Sequence, residues 1–290
     1  MQTVRDVSAS FRKELSVLYD APETDSLCAI VLNEVTGIST AMARAFTEQE
    51  LTNENVELIG KMLDELKSGK PIQYIIGHAE FYGLTFKVNP SVLIPRPETE
   101  ELVSWVIDSA NKIQIKKGNI LDIGTGSGCI AVSLKKNLPE TSVSAIDVSP
   151  EALQTAQENA ELNKAEVNFI KADILNIASS NPGLQTSGFN IIVSNPPYVT
   201  TEDRSHMHIN VTEFEPHTAL FVPEDDPLIF YRSIADFAFK NLVNVGLLFF
   251  EINESYGEQI VELLVNKRFI NIELRKDISD KNRMIKAVKP

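Results

Sequence analysis

Hydrophobic and polar positions follow a helical period in the first part of the chain. Over residues 1–70, apolar side chains recur every three to four positions, which places them on one face of a helix. The apolar residues that carry this period are Phe11, Leu15, Leu18, Tyr19, Val56, Ile59, Met62, Leu63 and Leu66. Residues 47–50 have the Thr-x-x-Glu form of a capping box and predict a helix start there. We therefore predict a small helical domain at residues 1–70, acting either as a substrate-docking surface or as a solvated cap.

The pattern changes at residue 71. Short apolar runs at residues 72–77, 81–88 and 92–94 are rich in residues that favour strands and are separated by Gly and Pro. This pattern predicts a β-hairpin linker at residues 71–97.

Strand-like and helix-like runs then alternate from residue 98 to residue 290. Predicted strands cover residues 119–123, 143–147, 167–171, 189–194, 246–252, 269–274 and 284–288. Predicted helices cover residues 128–137, 150–162, 227–243 and 255–267. Such alternation is typical of a largely parallel sheet with helices on both faces, so the predicted fold class is α/β.

Composition narrows the functional classes. The chain has 290 residues, of which 43% are hydrophobic and 23% charged, enough for two domains. It has no apolar run of about 18 residues and no signal-peptide core at its start, so we expect a cytoplasmic protein that does not enter a membrane. The net charge of −13 argues against direct nucleic-acid binding. Cys28 and Cys129 are too few for a disulfide framework or a cysteine-based metal site.

A glycine-rich loop follows the predicted strand at residues 119–123. It reads Gly124, Thr125, Gly126, Ser127 and Gly128. Glycines at such a turn let the backbone approach a nucleotide-like ligand closely. The spacing differs from the Gly-x-Gly-x-x-Gly fingerprint of dinucleotide sites, which disfavours NAD and leaves the ligand open.

The next two predicted strands end on carboxylates. Asp147 lies about 20 residues after the glycines, where a carboxylate can bridge ribose hydroxyls or cap the helix starting near Pro150. Asp173 can accept a hydrogen bond from an adenine amino group, and Ile174 can pack on its ring. Each is also typical of an ordinary turn, but three successive strand ends of this kind indicate a ligand containing adenosine.

The predicted strand at residues 189–194 leads into Asn195, Pro196, Pro197 and Tyr198. The prolines remove two backbone donors and leave carbonyl acceptors unused. The side-chain carbonyl of Asn195 and the ring of Tyr198 complete a site for a planar group carrying N–H donors: an amide, an exocyclic amine or a nucleobase. An ordinary Asn-Pro turn is the alternative. If the first and fourth strands are neighbours, this turn and the glycine loop meet in one crevice.

His206, His208 and His217 suggest a metal site, but no cysteine or matched set of carboxylates accompanies them, so we predict no metal. Residues 213–220 predict either a flap beyond the double-proline turn or a solvated loop.

In this order, the motifs resemble those of S-adenosylmethionine-dependent methyltransferases with a seven-stranded Rossmann-like domain. Residues 71–77, 92–100 and 124–131 are similar to the peptide chain release factor N5-glutamine methyltransferases, the protein-(glutamine-N5) methyltransferase family. Residues 94–100, Ile-Pro-Arg-Pro-Glu-Thr-Glu, are the most specific part. Residues 226–228 and 244–246 depart from the family pattern, the latter lacking a usual second glycine.

The resemblance implies N5-methylation of the glutamine in the Gly-Gly-Gln motif of class 1 translation release factors. It implies a methyltransferase domain at residues 98–290 and a monomer that uses S-adenosyl-L-methionine. The residues implied to bind this cofactor are Gly124, Thr125, Gly126, Ser127, Gly128, Asp147, Asp173, Ile174 and Asn195. The residues implied to bind substrate are Asn195, Pro196, Pro197 and Tyr198, of which Asn195, Pro196 and Tyr198 are the predicted catalytic residues.

Two alternatives stay open. The same turn grips an exocyclic amine in adenine-N6 and guanine-N2 nucleic-acid methyltransferases. A catalytically silent docking protein that binds S-adenosylmethionine would carry the same cofactor motifs.

Overall fold

The computed structural model describes residues 2–115, 117–179, 188–205 and 207–290. The chain forms two compact units. Met1–Gly77 and His208–Phe214 form one, here called the helical unit, and His78–Met207 and Glu215–Pro290 form the other, the sheet unit. None of the helices in the described ranges has the length and apolar character needed to cross a membrane.

The helices and strands are numbered in chain order. The helices are α1 (Val4–Leu15), α2 (Ala21–Thr36), α3 (Thr40–Ala45), α4 (Asn53–Lys67), α5 (Ile72–Ile76), α6 (Pro97–Lys112), α7 (Cys129–Asn137), α8 (Pro150–Leu162), α9 (Thr201–Arg204), α10 (Ile209–Phe214), α11 (His217–Leu220), α12 (Ile229–Asn241) and α13 (Gly257–Asn266). The strands are β1 (His78–Phe81), β2 (Leu84–Lys87), β3 (Asn119–Ile123), β4 (Ser142–Asp147), β5 (Val167–Lys171), β6 (Phe189–Ser194), β7 (Leu242–Glu251), β8 (Ile270–Lys276) and β9 (Asn282–Val288). Short 3₁₀ segments lie at Ile174–Ser179 and Glu254–Tyr256.

The helical unit buries the apolar face that the three-to-four spacing predicts. Phe11, Leu15 and Leu66 are completely buried within one hydrophobic cluster of this unit. Helix α1 begins with a capping box in which the side chains of Thr3 and Asp6 each accept a hydrogen bond from the other's backbone N–H.

The predicted helix start at residues 47–50 is wrong. Helix α4 begins at Asn53, and the Thr52 side chain accepts from the backbone N–H of Asn55. The carbonyls of Thr47 and Gln49 accept from the first N–H groups of α1 instead. Those N–H groups have no partner within their own helix, so the loop satisfies them.

The predicted strand at residues 72–77 is also wrong. These residues form the single-turn helix α5, which ends at Gly77 with a left-handed φ of 81°. Ile72 packs into the helical cluster, so tertiary packing overrides the strand preference of its sequence. Residues 92–94 lie outside the strands, and the hairpin consists of β1 and β2 joined by Tyr82 and Gly83.

A seven-stranded sheet forms the centre of the sheet unit. Its strand order is β5-β4-β3-β6-β7-β9-β8. Strands β3 to β7 are parallel, and β9 runs antiparallel to both of its neighbours, β7 and β8. Alternate residues of each strand point to opposite faces. In β3, for example, Ile120 belongs to one buried cluster and Leu121 to the other. This confirms the predicted α/β class, with helices covering both faces.

The order of the strands fixes where a ligand can bind. Strand β3 pairs with β4 on one side and with β6 on the other, so the chain winds in opposite directions from this point. In sheets of this kind, ligands bind in the crevice at the carboxyl ends of the strands where the order reverses.

Candidate active site

A cavity lies at that crevice. The register pairs Ile123 with Ser194, so the glycine loop and the double-proline turn leave neighbouring strands at the same level. Both line the cavity. The predicted residues that line it are Gly124, Thr125, Gly126, Ser127, Asp147, Asp173, Ile174, Asn195, Pro196 and Pro197. The structure therefore brings most of the predicted site residues together.

The glycine loop takes a backbone path that favours glycine. Gly126 and Gly128 have φ values of 53° and 81°. A Cβ on Gly128 would lie 3.0 Å from the Cβ of Ala156 in α8, so this glycine allows close helix packing and does not line the cavity. A Cβ on Gly126 would meet no protein atom within 4 Å, so the space beside it is open to a ligand.

Asp147 links the end of β4 to the glycine loop. One carboxylate oxygen accepts from the N–H of Gly126 at 2.9 Å, and the other accepts from the N–H of Ser149 at 3.0 Å. Burial raises the pKa of Asp147, and these backbone hydrogen bonds oppose the rise. The helix-capping alternative is wrong, because the side chain of Ser149 caps α8 by accepting from Ala152.

Asp173 and Ile174 stand at the end of β5. The Asp173 carboxylate accepts from the N–H of Leu175 at 2.9 Å and from the Asn176 side chain at 2.7 Å. Asp173 is therefore a turn residue that also faces the cavity.

Tyr198 has a different place from the rest of its turn. Its ring packs against the buried cluster on one face of the sheet and does not line the cavity. Its hydroxyl donates to Oε1 of Glu251 at 3.2 Å. Burial raises the pKa of this hydroxyl, and the neighbouring carboxylate raises it further. Its proposed contact with a substrate amide stays a prediction.

Residues on the far side of the cavity were not predicted as site residues. Arg96, in the loop before α6, lines the cavity and forms an ion pair with Glu215. Glu215 is buried, and Oε2 of its carboxylate accepts from the N–H of Ile94 at 3.3 Å. Thr218 and Ala219 also line the cavity, so this part of the predicted flap does lie beside the turn.

Asp122 and Thr99 are two further residues that motif reasoning missed. Asp122 lies in β3 and accepts from the hydroxyl of Thr125 at 2.6 Å, which braces the glycine loop. The sequence did contain an indication of this residue, since a carboxylate within an otherwise apolar strand is unusual. Thr99 lines the cavity from α6 and belongs to the distinctive segment at residues 94–100.

In the described residues, His208 and His217 each lie beside an aromatic ring. The ring of His208 lies 5.8 Å from that of Tyr19, and His217 packs edge-to-face on Phe221. His206 lies outside the described residues.

Comparison with known proteins places the chain in a family. The family model described as PrmC N-terminal domain matches residues 6–77, and the one described as methyltransferase small domain matches residues 103–213. A release factor glutamine methyltransferase of Flavobacterium psychrophilum is 46% identical over 98% of both chains. The chain belongs to the release factor glutamine methyltransferase family.

Other comparisons agree with this membership. The release factor glutamine methyltransferase of Bacteroides thetaiotaomicron is 39% identical over 97% of this chain and 98% of its own. Among solved structures, the N-terminal domain of human METTL16 in complex with SAH has a TM-score of 0.51 at 17% identity, covering 71% of this chain and 76% of that one. The second likeness supports the fold alone. Family membership confirms the resemblance read from the motifs and makes this chain an S-adenosylmethionine-dependent methyltransferase.

The cavity of this family member fits S-adenosyl-L-methionine. The open space beside Gly126 admits a ligand against the backbone, and Asp147 and Asp173 stand at the ends of β4 and β5. These are the positions at which the sequence predicts contacts with the ribose hydroxyls, for Asp147, and with the adenine, for Asp173 and Ile174. When bound, the cofactor supplies a methyl group activated by a sulfonium centre.

Proposed function

We propose that this chain methylates the side-chain amide nitrogen, N5, of the glutamine in the Gly-Gly-Gln motif of class 1 translation release factors. One observation carries the proposal: the glycine loop and the double-proline turn line one cavity where the strand order reverses. A methyl donor and an acceptor nitrogen held by these two segments would meet there. Membership of the release factor glutamine methyltransferase family supports the choice of acceptor.

The double-proline turn supplies hydrogen-bond acceptors for the substrate amide. An amide nitrogen is a poor nucleophile because its lone pair is delocalised into the carbonyl group. In the proposal, the side-chain oxygen of Asn195 and the carbonyl of Pro196 accept the two N–H groups of the glutamine. The nitrogen then faces the methyl donor. Holding two reactants in the correct orientation can contribute about 7–11 kcal/mol to a rate enhancement.

The rate enhancement in this proposal comes from orientation and needs no strong base. Asn195 and Pro196 both line the cavity and carry no titrating group. The nitrogen takes the methyl group as the bond between that methyl group and the sulfonium sulfur breaks, which leaves S-adenosylhomocysteine as the second product. Methylation makes the nitrogen more acidic, so one of its protons then passes to water.

The proposal also includes the location and the partner. The chain works as a monomer in the cytoplasm, residues 1–70 dock the release factor, residues 71–97 link the domains, and nucleic acid is not a substrate. Light scattering coupled to size-exclusion chromatography tests the oligomeric state. Removal of residues 1–70 tests docking if the shortened chain still binds the cofactor in calorimetry. A normal KM for the release factor in that variant would overturn the docking role.

A methyl-transfer assay tests the reaction itself. Purified chain is incubated with S-adenosylmethionine carrying a labelled methyl group and with release factor, ribosomal RNA or DNA. We expect label only in the release factor, and none when the motif glutamine is replaced. Label in RNA or DNA would favour the nucleic-acid alternative. Tight cofactor binding without transfer to any acceptor would favour the silent docking protein.

A further inference from the structure

A fully buried carboxylate lies behind the double-proline turn. Glu251 is the last residue of β7, and its side chain is 1% exposed. The register pairs Phe250 with Ser194, so Glu251 and Asn195 leave neighbouring strands at the same level. Glu251 does not line the cavity and takes no part in the proposed contacts with substrate or cofactor. Burying such a group is costly unless hydrogen bonds compensate, so the partners of this carboxylate matter.

Two hydroxyl groups satisfy this carboxylate. Oε2 accepts from the hydroxyl of Thr99 at 2.6 Å, and Oε1 accepts from that of Tyr198 at 3.2 Å. Thr99 in turn lies 3.4 Å from the side-chain nitrogen of Asn195. The chain of contacts therefore runs from the buried carboxylate through one threonine to the residue that faces the substrate.

The protons in this chain of contacts can be counted. A threonine hydroxyl has a single proton, and an ionised carboxylate only accepts. Burial raises the pKa of the Glu251 carboxyl, whereas the hydrogen bonds from Thr99 and Tyr198 and the positive charge of Arg283 oppose the rise. When Glu251 is ionised, Thr99 gives its proton to it, which leaves the Thr99 oxygen as an acceptor toward Asn195. Only the NH₂ end of the Asn195 amide can donate to that oxygen. The amide oxygen of Asn195 is then the end left for the substrate.

We propose that Glu251, acting through Thr99, sets the orientation of the Asn195 amide so that its oxygen, and not its NH₂ group, meets the substrate nitrogen. The inference rests on the proposed function, since only an acceptor that carries N–H groups requires this polarity. With the amide reversed, two N–H donors would face each other and the glutamine would be held in a wrong orientation. Thr99 and Glu251 are positioning residues in this proposal, because neither acts directly on the methyl group.

The same carboxylate explains the place of Tyr198. Its hydroxyl contacts Glu251 while its ring packs into the buried cluster. Glu251 therefore connects both ends of the four-residue turn, through Thr99 to Asn195 and directly to Tyr198.

The substitution that tests this is Thr99→Val, which keeps the shape and removes both the donor and the acceptor. We expect kcat to fall roughly 10- to 100-fold, the scale set by misplacing a reacting group. Cofactor affinity in calorimetry should stay near the wild-type value, and the melting temperature should fall because Glu251 loses one of its two hydrogen bonds. Thr99→Ser, which keeps the hydroxyl, is the matched control and should restore most of kcat. Equal losses in both variants, or a normal kcat in Thr99→Val, would overturn the inference.

A double-mutant cycle separates positioning from a general structural role. If Thr99 works only through Asn195, then adding Thr99→Val to Asn195→Ala should cost nothing further in the residual rate. Independent losses that multiply would contradict the proposal. As a readout besides activity, the side-chain ¹⁵NH₂ signal of Asn195, identified by its absence in Asn195→Ala, should shift in Thr99→Val and stay in place in Thr99→Ser. No shift in Thr99→Val would overturn the inference.

Failure of the inference and failure of the proposed function give different results. If the wild-type chain does not methylate a release factor, the proposed function fails before any variant is compared. If the wild-type chain does so and Thr99→Val is equally fast, only the positioning role fails.

Discussion

The stability of the sheet unit should depend on pH through Asp122. Its side chain is fully buried in β3, and burial raises its pKa from 3.8 to about 7. The nearby Asp147 carboxylate adds to the rise, whereas the hydrogen bond from Thr125 opposes it. The unfolded chain ionises near the ordinary value, so folding disfavours a charge that the unfolded state accepts readily.

The size of the effect follows from these two pKa values. The difference between 3.8 and about 7 corresponds to about 4 kcal/mol, since each pKa unit is worth about 1.4 kcal/mol. The folded-state pKa is the higher one. The stability associated with the neutral carboxyl is therefore complete below about pH 4 and is lost as the pH rises to about 7.

Asp122→Asn tests this reasoning because it keeps an acceptor for Thr125 and removes the charge. We expect the free energy of unfolding of the variant, minus that of the wild type, to increase by about 2–3 kcal/mol between about pH 5 and about pH 8. Urea unfolding followed by tryptophan fluorescence measures it. Trp105 is the single tryptophan of the chain and is buried in the same unit, so its signal reports on that unit.

The test is whether the difference in the free energy of unfolding between variant and wild type changes with pH. A difference of either sign that is the same at all pH values comes from packing. Asp225→Asn, which makes the same chemical change at an exposed position, is the matched control, and the change with pH should be larger for Asp122→Asn than for it. If the Asp122→Asn difference is the same at both pH values, the buried-charge reasoning is wrong.

Three further substitutions have expected outcomes. Asn195→Ala should lower turnover about 100- to 1,000-fold, as for the loss of one essential hydrogen-bonding group, and change cofactor affinity in calorimetry far less than turnover; a near-normal rate would remove Asn195 from the reaction. Asp147→Ala should weaken S-adenosylmethionine binding about 10-fold or more, measured by calorimetry, and unchanged affinity would contradict the ribose assignment. Val245→Gly should stabilise the chain by about 1 kcal/mol in urea unfolding, because Val245 has a φ of 63° and a β-branched side chain is strained there. Val245→Ala, which keeps a Cβ, should gain less, and a loss of stability with glycine would refute the strain.

The strained valine stands where the sequence departs from the family pattern. The resemblance implies a second glycine that residues 244–246 lack, and Val245 has a positive φ of 63° that glycine adopts readily. This position lies near the start of β7, far along the strand from Glu251 and the cavity. The departure therefore concerns stability and does not alter the residues proposed for the reaction.

Local sequence patterns predicted much of the fold and part of the candidate site. The strands at residues 119–123, 167–171 and 189–194 were predicted with the ends that the structure gives them. Short apolar runs and flanking turn residues depend on neighbours a few positions away, which a single sequence displays. Asp147 ends such a strand, and the glycines and Asn195 directly follow such strands. Their convergence on one crevice therefore followed from the order of strands expected for a doubly wound sheet.

The errors come from places where distant contacts override local preference. Residues 72–77 have the composition of a strand, yet they form a helix because Ile72 fills a place in the helical cluster. The Thr-x-x-Glu pattern at residues 47–50 is that of a helix start, yet two of its backbone carbonyls accept hydrogen bonds from the first N–H groups of α1. Residues nearby in the chain reveal neither the cluster that receives Ile72 nor the helix start that the carbonyls at residues 47–50 contact.

By itself, the sequence determined that a helical domain precedes an α/β domain with a parallel sheet. It also determined which strand ends carry the candidate chemistry. Both depend on short-range periodicity and on turn residues. Tertiary structure decided which side chains support that chemistry. Thr99 and Glu251 are 152 positions apart, and Asn195 and Thr99 are 96 apart, yet they share one set of hydrogen bonds. Their contact exists only because β7 pairs with β6 and the first turn of α6 lies beside their ends. A hydrogen bond depends on distances in space, and sequence separation does not reveal those distances until the sheet has formed.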